Sequence, residues 1–555
     1  MRTPEARDWG WVGLGAMGTV LVLWATSRYG AGYNPDAVTA LATARNLLEE
    51  GVFFSHFSLY VRWPPLFPAL QAGLGTVGVA PMEAARWINA LSYGLLVAGL
   101  GRILFETTRS RAGYVLGIAS AFFAFPLFRQ SVEASTEPLF AVLVLLFVGQ
   151  GSRYLKRPKW KQVGLLSACA ALACLQRYAG VALLVSGGGL LLVRQSIASS
   201  RWRFPSATAW KQAAFFVGGA VAPLGAWLLR NVVASGTLTG PRFTVEHTLV
   251  ESLGALGVAL SSWIIPVPLS MLVRGGVAFA VVSLLTYGVM HNAATEDKRG
   301  ECREWGWTCG LVLGGYVLLI TVTGAIGASE LPSRRLLMPV FAPALLLGTW
   351  GIDSVYEALY NAGRSWSYGG VLLGHGGWVL GMALLTGIYA WGRADIGGGG
   401  YNTESWQTSG TAEWVRQHRP DKPVRSNEEH ALYFLTSVPQ RQPESEGIPR
   451  SITSFSFQYP AEGYYVACFN RPERARLHPK LFVQKLGVLV PTVSRFADAV
   501  PALPKRHSKR KDCSTLVAPT ANVDTVRTLS DGAIYNVSAV PEEADGRRPE
   551  SAFRP

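Results

Sequence analysis

Long apolar runs recur along the first 391 residues of the chain and then stop. Several approach the length of about 20 residues that an α-helix needs to cross the hydrocarbon core of a membrane. The pattern predicts a polytopic helical membrane domain followed by a water-soluble part. The first run is expected to be an uncleaved signal-anchor helix, because the residues after it form a weak cleavage site. Eleven spans are predicted, near residues 10–28, 85–105, 112–129, 137–150, 163–176, 178–193, 212–230, 275–290, 305–325, 335–350 and 367–391.

The distribution of lysine orients these spans, because cytoplasmic loops of membrane proteins carry an excess of basic residues. Every lysine before residue 392 falls on one predicted side, and these are Lys156, Lys159, Lys161, Lys211 and Lys298. The pattern predicts a cytoplasmic N-terminus and places residues 392–555 outside the membrane. The apolar stretches 63–80 and 253–269 are interpreted as helices on the outer interface, because promoting either to a span would break the lysine pattern.

Composition agrees with a membrane protein. Only 16% of the residues are charged and 49% are hydrophobic, against roughly 25% charged residues in a soluble domain. The net charge of +15 could suggest a nucleic-acid partner. The basic residues cluster in short loops between apolar runs, however, so we interpret them as a topology signal and expect membrane lipid, not nucleic acid, as the partner.

Carboxylates and arginines gather in the loops that this topology places outside. Asp36 begins an amphipathic stretch, 36–50, in the first external loop, and Glu133 and Glu137 lie four residues apart in the second. Four-residue spacing predicts that both glutamates share one helical face. The remaining external loops contribute Arg177, Arg230, Arg242, Glu330, Arg334 and Arg335.

This combination of side chains suggests a type of chemistry. A carboxylate can deprotonate an acceptor, and an arginine can grip a phosphate in bidentate fashion and stabilise it as a leaving group. The loops therefore predict transfer from a lipid phosphate. A transporter or flippase for a lipid-linked or anionic substrate is the alternative. For Asp36 a second interpretation is a helix N-cap, which stabilises the first turn by about 1 kcal/mol.

A succession of motifs carries a family resemblance over about residues 10–390. The motifs are "YNPDAVTALATARNLLEEG", "WPPLFPAL", "EAARWINALSYGLL", "STEPLF", "QRYAG", "RNVVASGTLTG" and "SRRLLMPV". Their order and spacing resemble the GT-C superfamily of integral membrane glycosyltransferases. Within it, the chain is most similar to the family 39-like (dolichyl-phosphate-mannose-protein-mannosyltransferase-like) and the aminoarabinose-transferase-like proteins.

The resemblance implies a GT-C-like bundle and an activity. Such a protein would transfer a sugar, with inversion, from a polyprenyl-phosphate donor to a lipid, glycan or protein acceptor. It would work at the outer face of the plasma (inner) membrane. Some relatives bind a divalent metal near the first loop, but the sequence shows no ligand set for one, and His56 is interpreted as an interfacial histidine.

Site residues follow from the same resemblance. Asp36 matches the first-loop acidic residue that acts as catalytic base or orients the acceptor, and Glu137 matches a second acidic residue, with Glu133 as its substitute. The arginines expected to bind the donor phosphate are Arg177, Arg334, Arg335 and Arg230. Gln176 stands where the "TRY"-like motif commonly has threonine.

The rest of the chain has a different composition. Residues 1–391 are expected to form the transmembrane domain, with a large first external loop at 29–84. A glycine linker, "GGGGY", precedes a small extracytoplasmic α/β domain that ends near residue 540, with strands at "PVRSN", "GYYVACFN" and "AIYNVSAV". Residues 541–555 are expected to be disordered. Cys468 and Cys513 are candidates for a disulfide in an oxidising compartment, whose formation the sequence leaves open.

Overall fold

The computed structural model divides into two compact units. The first comprises Met1–Ser27 and Tyr60–Trp391, and the second Arg28–Leu59 and Gly392–Pro555. Residues described by the structure are 10–199, 201, 203–240, 247–266, 270–294, 301–327, 330–418, 424–438, 464–469, 522–529 and 531–538. Arg242, Cys513 and the segment 541–555 lie outside the described residues.

Most of the described chain is helical. The helices are α1 (Gly10–Ala25), α2 (Pro35–Glu49), α3 (Leu66–Gly75), α4 (Pro81–Thr107), α5 (Arg111–Phe122), α6 (Phe125–Ser131), α7 (Glu137–Lys156), α8 (Trp160–Gln176), α9 (Val181–Ser199), α10 (Ala207–Ser235), α11 (Leu249–Ile264), α12 (Met271–Ala294), α13 (Glu301–Ala325), α14 (Arg334–Leu337), α15 (Phe341–Asn361), α16 (Ser365–Ile396), α17 (Glu404–Gln407), α18 (Gly410–His418) and α19 (Glu429–Thr436). The strands are β1 (Gly397–Gly399), β2 (Asn402–Thr403), β3 (Val424–Ser426), β4 (Tyr464–Phe469), β5 (Asn522–Leu529) and β6 (Gly532–Ser538).

Each predicted span overlaps a helix, but two of them are interrupted: 112–129 covers α5 and α6, and 335–350 covers α14, a 3₁₀ turn and the first half of α15. Within the described residues, nine helical segments are long and apolar enough to cross a membrane, so the chain is an integral membrane protein. The two predicted spans outside that set are α1 and α8, which have 16 and 17 residues. The stretches interpreted as interfacial overlap α3 and α11, which are shorter helices of 10 and 16 residues.

Close contact between α1 and α4 depends on two glycines. A Cβ built on Gly94 would lie 2.6 Å from the carbonyl oxygen of Gly15, and a Cβ built on Gly15 would lie 2.7 Å from the carbonyl oxygen of Gly94. Backbones can approach this closely only where side chains are absent, as at small-residue interfaces between membrane helices. The first helix is thereby packed into the bundle.

We expect Gly94→Val to separate α1 from α4 and to destabilise the protein by about 1–3 kcal/mol, as overpacking of a well-packed interface commonly does. The thermal unfolding midpoint of the purified protein in detergent measures this. Gly164→Val on α8 is the matched control, because nothing lies within 4 Å of a Cβ at that position. Equal midpoints for the two variants would contradict the proposed helix contact.

The second unit contains a four-stranded sheet with strand order β3-β4-β6-β5. β3 pairs with β4 in parallel, and the other two pairings are antiparallel. The predicted strands at "PVRSN", "GYYVACFN" and "AIYNVSAV" are confirmed as β3, β4 and β6. Helix α2 belongs to this unit, where it packs on α19. The predicted glycine linker includes a strand, β1, which pairs with β2.

Candidate functional site

A buried carboxylate in the first unit contacts two arginines from distant parts of the chain. Glu137 is the first residue of α7 and is fully buried. Its Oε1 accepts a hydrogen bond from Nη1 of Arg177 and another, 2.5 Å long, from Nε of Arg335. These three residues, called the Glu137 cluster below, bring together the second, third and fifth loops of the predicted topology.

Local structure explains why each side chain of the Glu137 cluster points where it does. Pro138 at the second position of α7 favours a helix start directly after Thr136, which fixes Glu137 at the helix N-terminus. Arg177 has an extended backbone conformation between the end of α8 and a short 3₁₀ turn. Arg335 lies in the first turn of α14, where Ser333 is the N-cap.

Neighbouring polar groups hold these segments in place. The side-chain amide of Gln176 donates to the carbonyl of Thr136 at 2.9 Å, and Arg177 also donates to the Thr136 hydroxyl at 2.9 Å. The Tyr316 hydroxyl donates to the carbonyl of Leu336 at 2.8 Å, beside Arg335. Sequence reasoning missed Thr136, Gln176 and Tyr316 as supports. Gln176 stands where the motif commonly has threonine, and this departure could have indicated a supporting role beside Arg177. Nothing in the sequence pattern indicates such a role for Tyr316.

The charges of the Glu137 cluster favour an anion at its surface. Two guanidinium groups and one carboxylate leave one positive charge in excess. The Glu137 side chain is 0% exposed, whereas the side chains of Arg177 and Arg335 are 16% and 35% exposed. An incoming ligand therefore meets the arginines and not the carboxylate. Such an arrangement suits charge-assisted binding of a phosphate, with Glu137 fixing the direction of both donors.

Two other residues of the predicted site lie close in sequence to the cluster. Arg334 is partly buried and lies within electrostatic range of Arg129 and Arg274, which adds positive charge in this part of the first unit. Glu133 falls in the turn between α6 and α7, where its carbonyl accepts from the Asn89 side chain. The prediction that Glu133 and Glu137 share a helical face is wrong, because α6 ends before Glu133 and α7 begins at Glu137.

Arg230 contacts the chain just before α3. Its Nη1 donates to the carbonyl of Tyr60 at 3.0 Å, and its guanidinium lies 4.9 Å from the ring centroid of Trp227. The adjacent Asn231 is fully buried, and its amide donates to the carbonyls of Val61 and Leu238. These contacts tie the end of α10 to the segment at residues 60–61.

Asp36 lies in the second unit, in the first turn of α2. The N-cap of that helix is Asn34, whose side chain accepts from the backbone N–H of Ala37 at 3.0 Å, and Pro35 takes the first helical position. The interpretation of Asp36 as the N-cap is therefore wrong, because Asn34 supplies the capping oxygen two residues earlier. The side chain of Asp36 is partly exposed.

His56 is buried in the second unit and does not lie at its surface. Its ring stacks on Tyr433 with centroids 4.8 Å apart and meets the ring of His430 at 5.0 Å. Burial, and secondarily the nearby His430, lower the pKa of His56 to about 3, so the imidazole is neutral at physiological pH. Among the residues that the structure describes, no group of three or more His, Cys, Asp or Glu is placed to hold a metal.

The fold is similar to that of ArnT from Cupriavidus metallidurans. Apo ArnT superposes with a TM-score of 0.55 at 14% sequence identity, over 95% of this chain and 98% of ArnT. ArnT bound to undecaprenyl phosphate gives the same TM-score and identity, over 97% and 100% of the two chains. No family model matches the sequence, and no curated protein is similar to it. The chain has the GT-C fold that its motifs predicted, and at this identity the likeness extends to the fold alone.

Proposed function

We propose that the chain transfers a sugar, with inversion, from a polyprenyl-phosphate donor to an acceptor at the extracytoplasmic face of the plasma membrane. The Glu137 cluster carries the proposal, because it presents two arginines at the ends of membrane-embedded helices around a fully buried carboxylate. The GT-C fold and the solved complex of ArnT with undecaprenyl phosphate support the choice of donor.

The proposed reaction divides the work between two groups of residues. Asp36 accepts the proton of an acceptor hydroxyl as its oxygen attacks the anomeric carbon. The bond between that carbon and the phosphate oxygen breaks on the opposite face, and the electron pair stays on the lipid phosphate. Arg177 and Arg335 stabilise this growing negative charge, with Arg334 adding to the field. Glu137 is assigned a positioning role, because its Oε1 is held by two guanidinium groups and solvent does not reach it.

The orientation is proposed from the lysines and from the order of the helices. With the stretch 152–161 in the cytoplasm, the starts of α7 and α14 and the turn between α8 and α9 all come to the outer side. Those are the positions of the three residues of the Glu137 cluster. The C-terminal unit then lies outside as well.

Sugar transfer by the purified protein in proteoliposomes tests the proposal. A panel of radiolabelled polyprenyl-phosphate sugars is supplied with an extract of envelope lipids and glycans as acceptors, and transferred label is measured. We expect transfer from one donor class. Movement of labelled donor across the bilayer without transfer to any acceptor would contradict the proposal and would favour a lipid transporter.

We expect Arg335→Ala to raise the Kd for polyprenyl phosphate by about 10–100-fold, because a hydrogen bond to a charged group contributes about 1.5–3 kcal/mol. Binding is measured by titration of the protein in nanodiscs with a short-chain polyprenyl phosphate. Arg102→Ala is the control, since Arg102 forms an exposed i,i+4 pair with Glu106. An unchanged Kd for Arg335→Ala would remove this arginine from the donor site.

A further inference from the structure

The tail segment Gly397–Thr403, called the clasp below, pairs with the chain that leads into α2. The backbone N–H of Tyr33 donates to the carbonyl of Gly399 at 3.1 Å, and the N–H of Tyr401 donates back to the carbonyl of Tyr33 at 2.8 Å. Both partners belong to the second unit. The glycine-rich stretch that reads as a linker is thus part of a defined pairing between two segments about 370 residues apart in sequence.

Asn402 adds side-chain contacts from the clasp to the same stretch. Its Nδ2 donates to the carbonyl of Tyr29 and, at 2.8 Å, to that of Ala31, while its Oδ1 accepts from Gln407 at 3.1 Å. Only 3% of the residue is exposed. Both ends of the amide are engaged, and no other side chain of this size offers two donors and an acceptor in this arrangement.

Close backbone approach explains Gly400 of the clasp. Gly400 has φ of +63°, and a Cβ there would overlap the Tyr33 carbonyl. A side chain at this position would be strained by its backbone conformation and would also push Tyr33 away. Gly400 therefore allows the close contact with Tyr33, just before α2.

The contacts lead directly to the start of α2. The Tyr33 ring stacks on Phe434 of α19, with centroids 4.8 Å apart. Asn34, the next residue, is the N-cap of α2, and Asp36 follows in its first turn. The clasp thus holds the chain three residues before the aspartate that is assigned as the base.

From this geometry we propose that the clasp positions Asp36 and that Asn402 is a positioning residue for sugar transfer. The inference rests on the proposed role of Asp36. It assigns the C-terminal unit a part in the reaction: the tail fixes the direction of the helix start that carries the base.

The test uses Asn402→Ala in the full-length protein, with Asn361→Ala as the control, since Asn361 is an exposed asparagine at the end of α15. Two measurements are made. The first is hydrogen–deuterium exchange of the amides at residues 37–41, which we expect to become at least tenfold faster in Asn402→Ala alone. The second is transfer kinetics, in which kcat should fall at least tenfold with KM for the donor unchanged.

A double variant separates positioning from general loss of structure. If Asn402 acts through Asp36, then Asn402→Ala costs nothing further when added to Asp36→Asn. Equal losses in both backgrounds, or a rise in KM with kcat unchanged, would overturn the positioning role. Unchanged exchange at residues 37–41 would overturn the clasp itself. Failure of the proposed function gives a different result, because the wild type itself would then transfer no sugar. Full transfer by Asp36→Asn alone would instead show that Asp36 is not the base, which also overturns the positioning role.

Discussion

Asp36→Asn is expected to lower the kcat of sugar transfer by about 10²–10⁴-fold, the range that a positioned general base contributes. Asparagine has nearly the same size as aspartate but cannot accept the proton of the acceptor hydroxyl. Helix α2 should survive the change, because Asn34 and not Asp36 supplies the capping oxygen. Donor affinity should also be unchanged, since the arginines assigned to the phosphate are intact. Single-turnover transfer with saturating donor measures the effect.

Glu49→Gln is the matched control for this variant. It makes the same carboxylate-to-amide change at the exposed C-terminal end of the same helix, and we expect transfer at the wild-type rate. If Asp36→Asn and Glu49→Gln transfer equally fast, the base is not Asp36. A fall in both would point to an effect of charge on α2 as a whole and would not identify a base.

Run length and hydropathy located the helices of the membrane part, but not the breaks within 112–129 and 335–350. These signals are local, because a helix satisfies its own backbone hydrogen bonds and needs only apolar side chains towards lipid. The same reasoning failed in short connections. The four-residue spacing of Glu133 and Glu137 indicates one helical face only if a helix spans both residues, and the chain instead turns between α6 and α7.

The candidate site could be predicted in part because burying a charge is costly. Arg177 stands between two apolar runs with almost no loop, so the sequence already required a partner or a cavity for it. The identity of that partner was not predictable from a local pattern. Glu137 is 40 residues away from Arg177 and 198 residues away from Arg335, and only the packing of α7, α8 and α14 brings them together.

The glycines at 397–400 were the least predictable feature. Composition alone does not distinguish a flexible linker from a strand that approaches another backbone closely, because both favour glycine. The distinguishing residue is Asn402, whose amide contacts two carbonyls near the start of the chain. Such pairings between segments far apart in sequence depend on tertiary structure.

Glu137→Gln is expected to destabilise the protein by about 3–5 kcal/mol and to weaken donor binding. The carboxylate is fully buried between two guanidinium groups, and removal of one partner from a buried ion pair leaves charge uncompensated. The amide keeps the shape of the side chain and one acceptor oxygen, so the variant should still fold. Thermal unfolding in detergent and titration with polyprenyl phosphate measure the two effects.

Glu83→Gln provides the comparison for Glu137→Gln, since Glu83 pairs with Arg86 at 3.0 Å but its side chain is 45% exposed. Exposed pairs contribute about 0–1 kcal/mol, so this variant should unfold near the wild-type temperature. A positioning role for Glu137 further requires that Glu137→Gln leave the pH dependence of kcat unchanged, because the buried carboxylate exchanges no proton in the reaction. A shift of that profile would make Glu137 an acid–base residue. If Glu137→Gln kept the stability and the donor affinity of the wild type, the two arginines would not need the carboxylate to hold them in place.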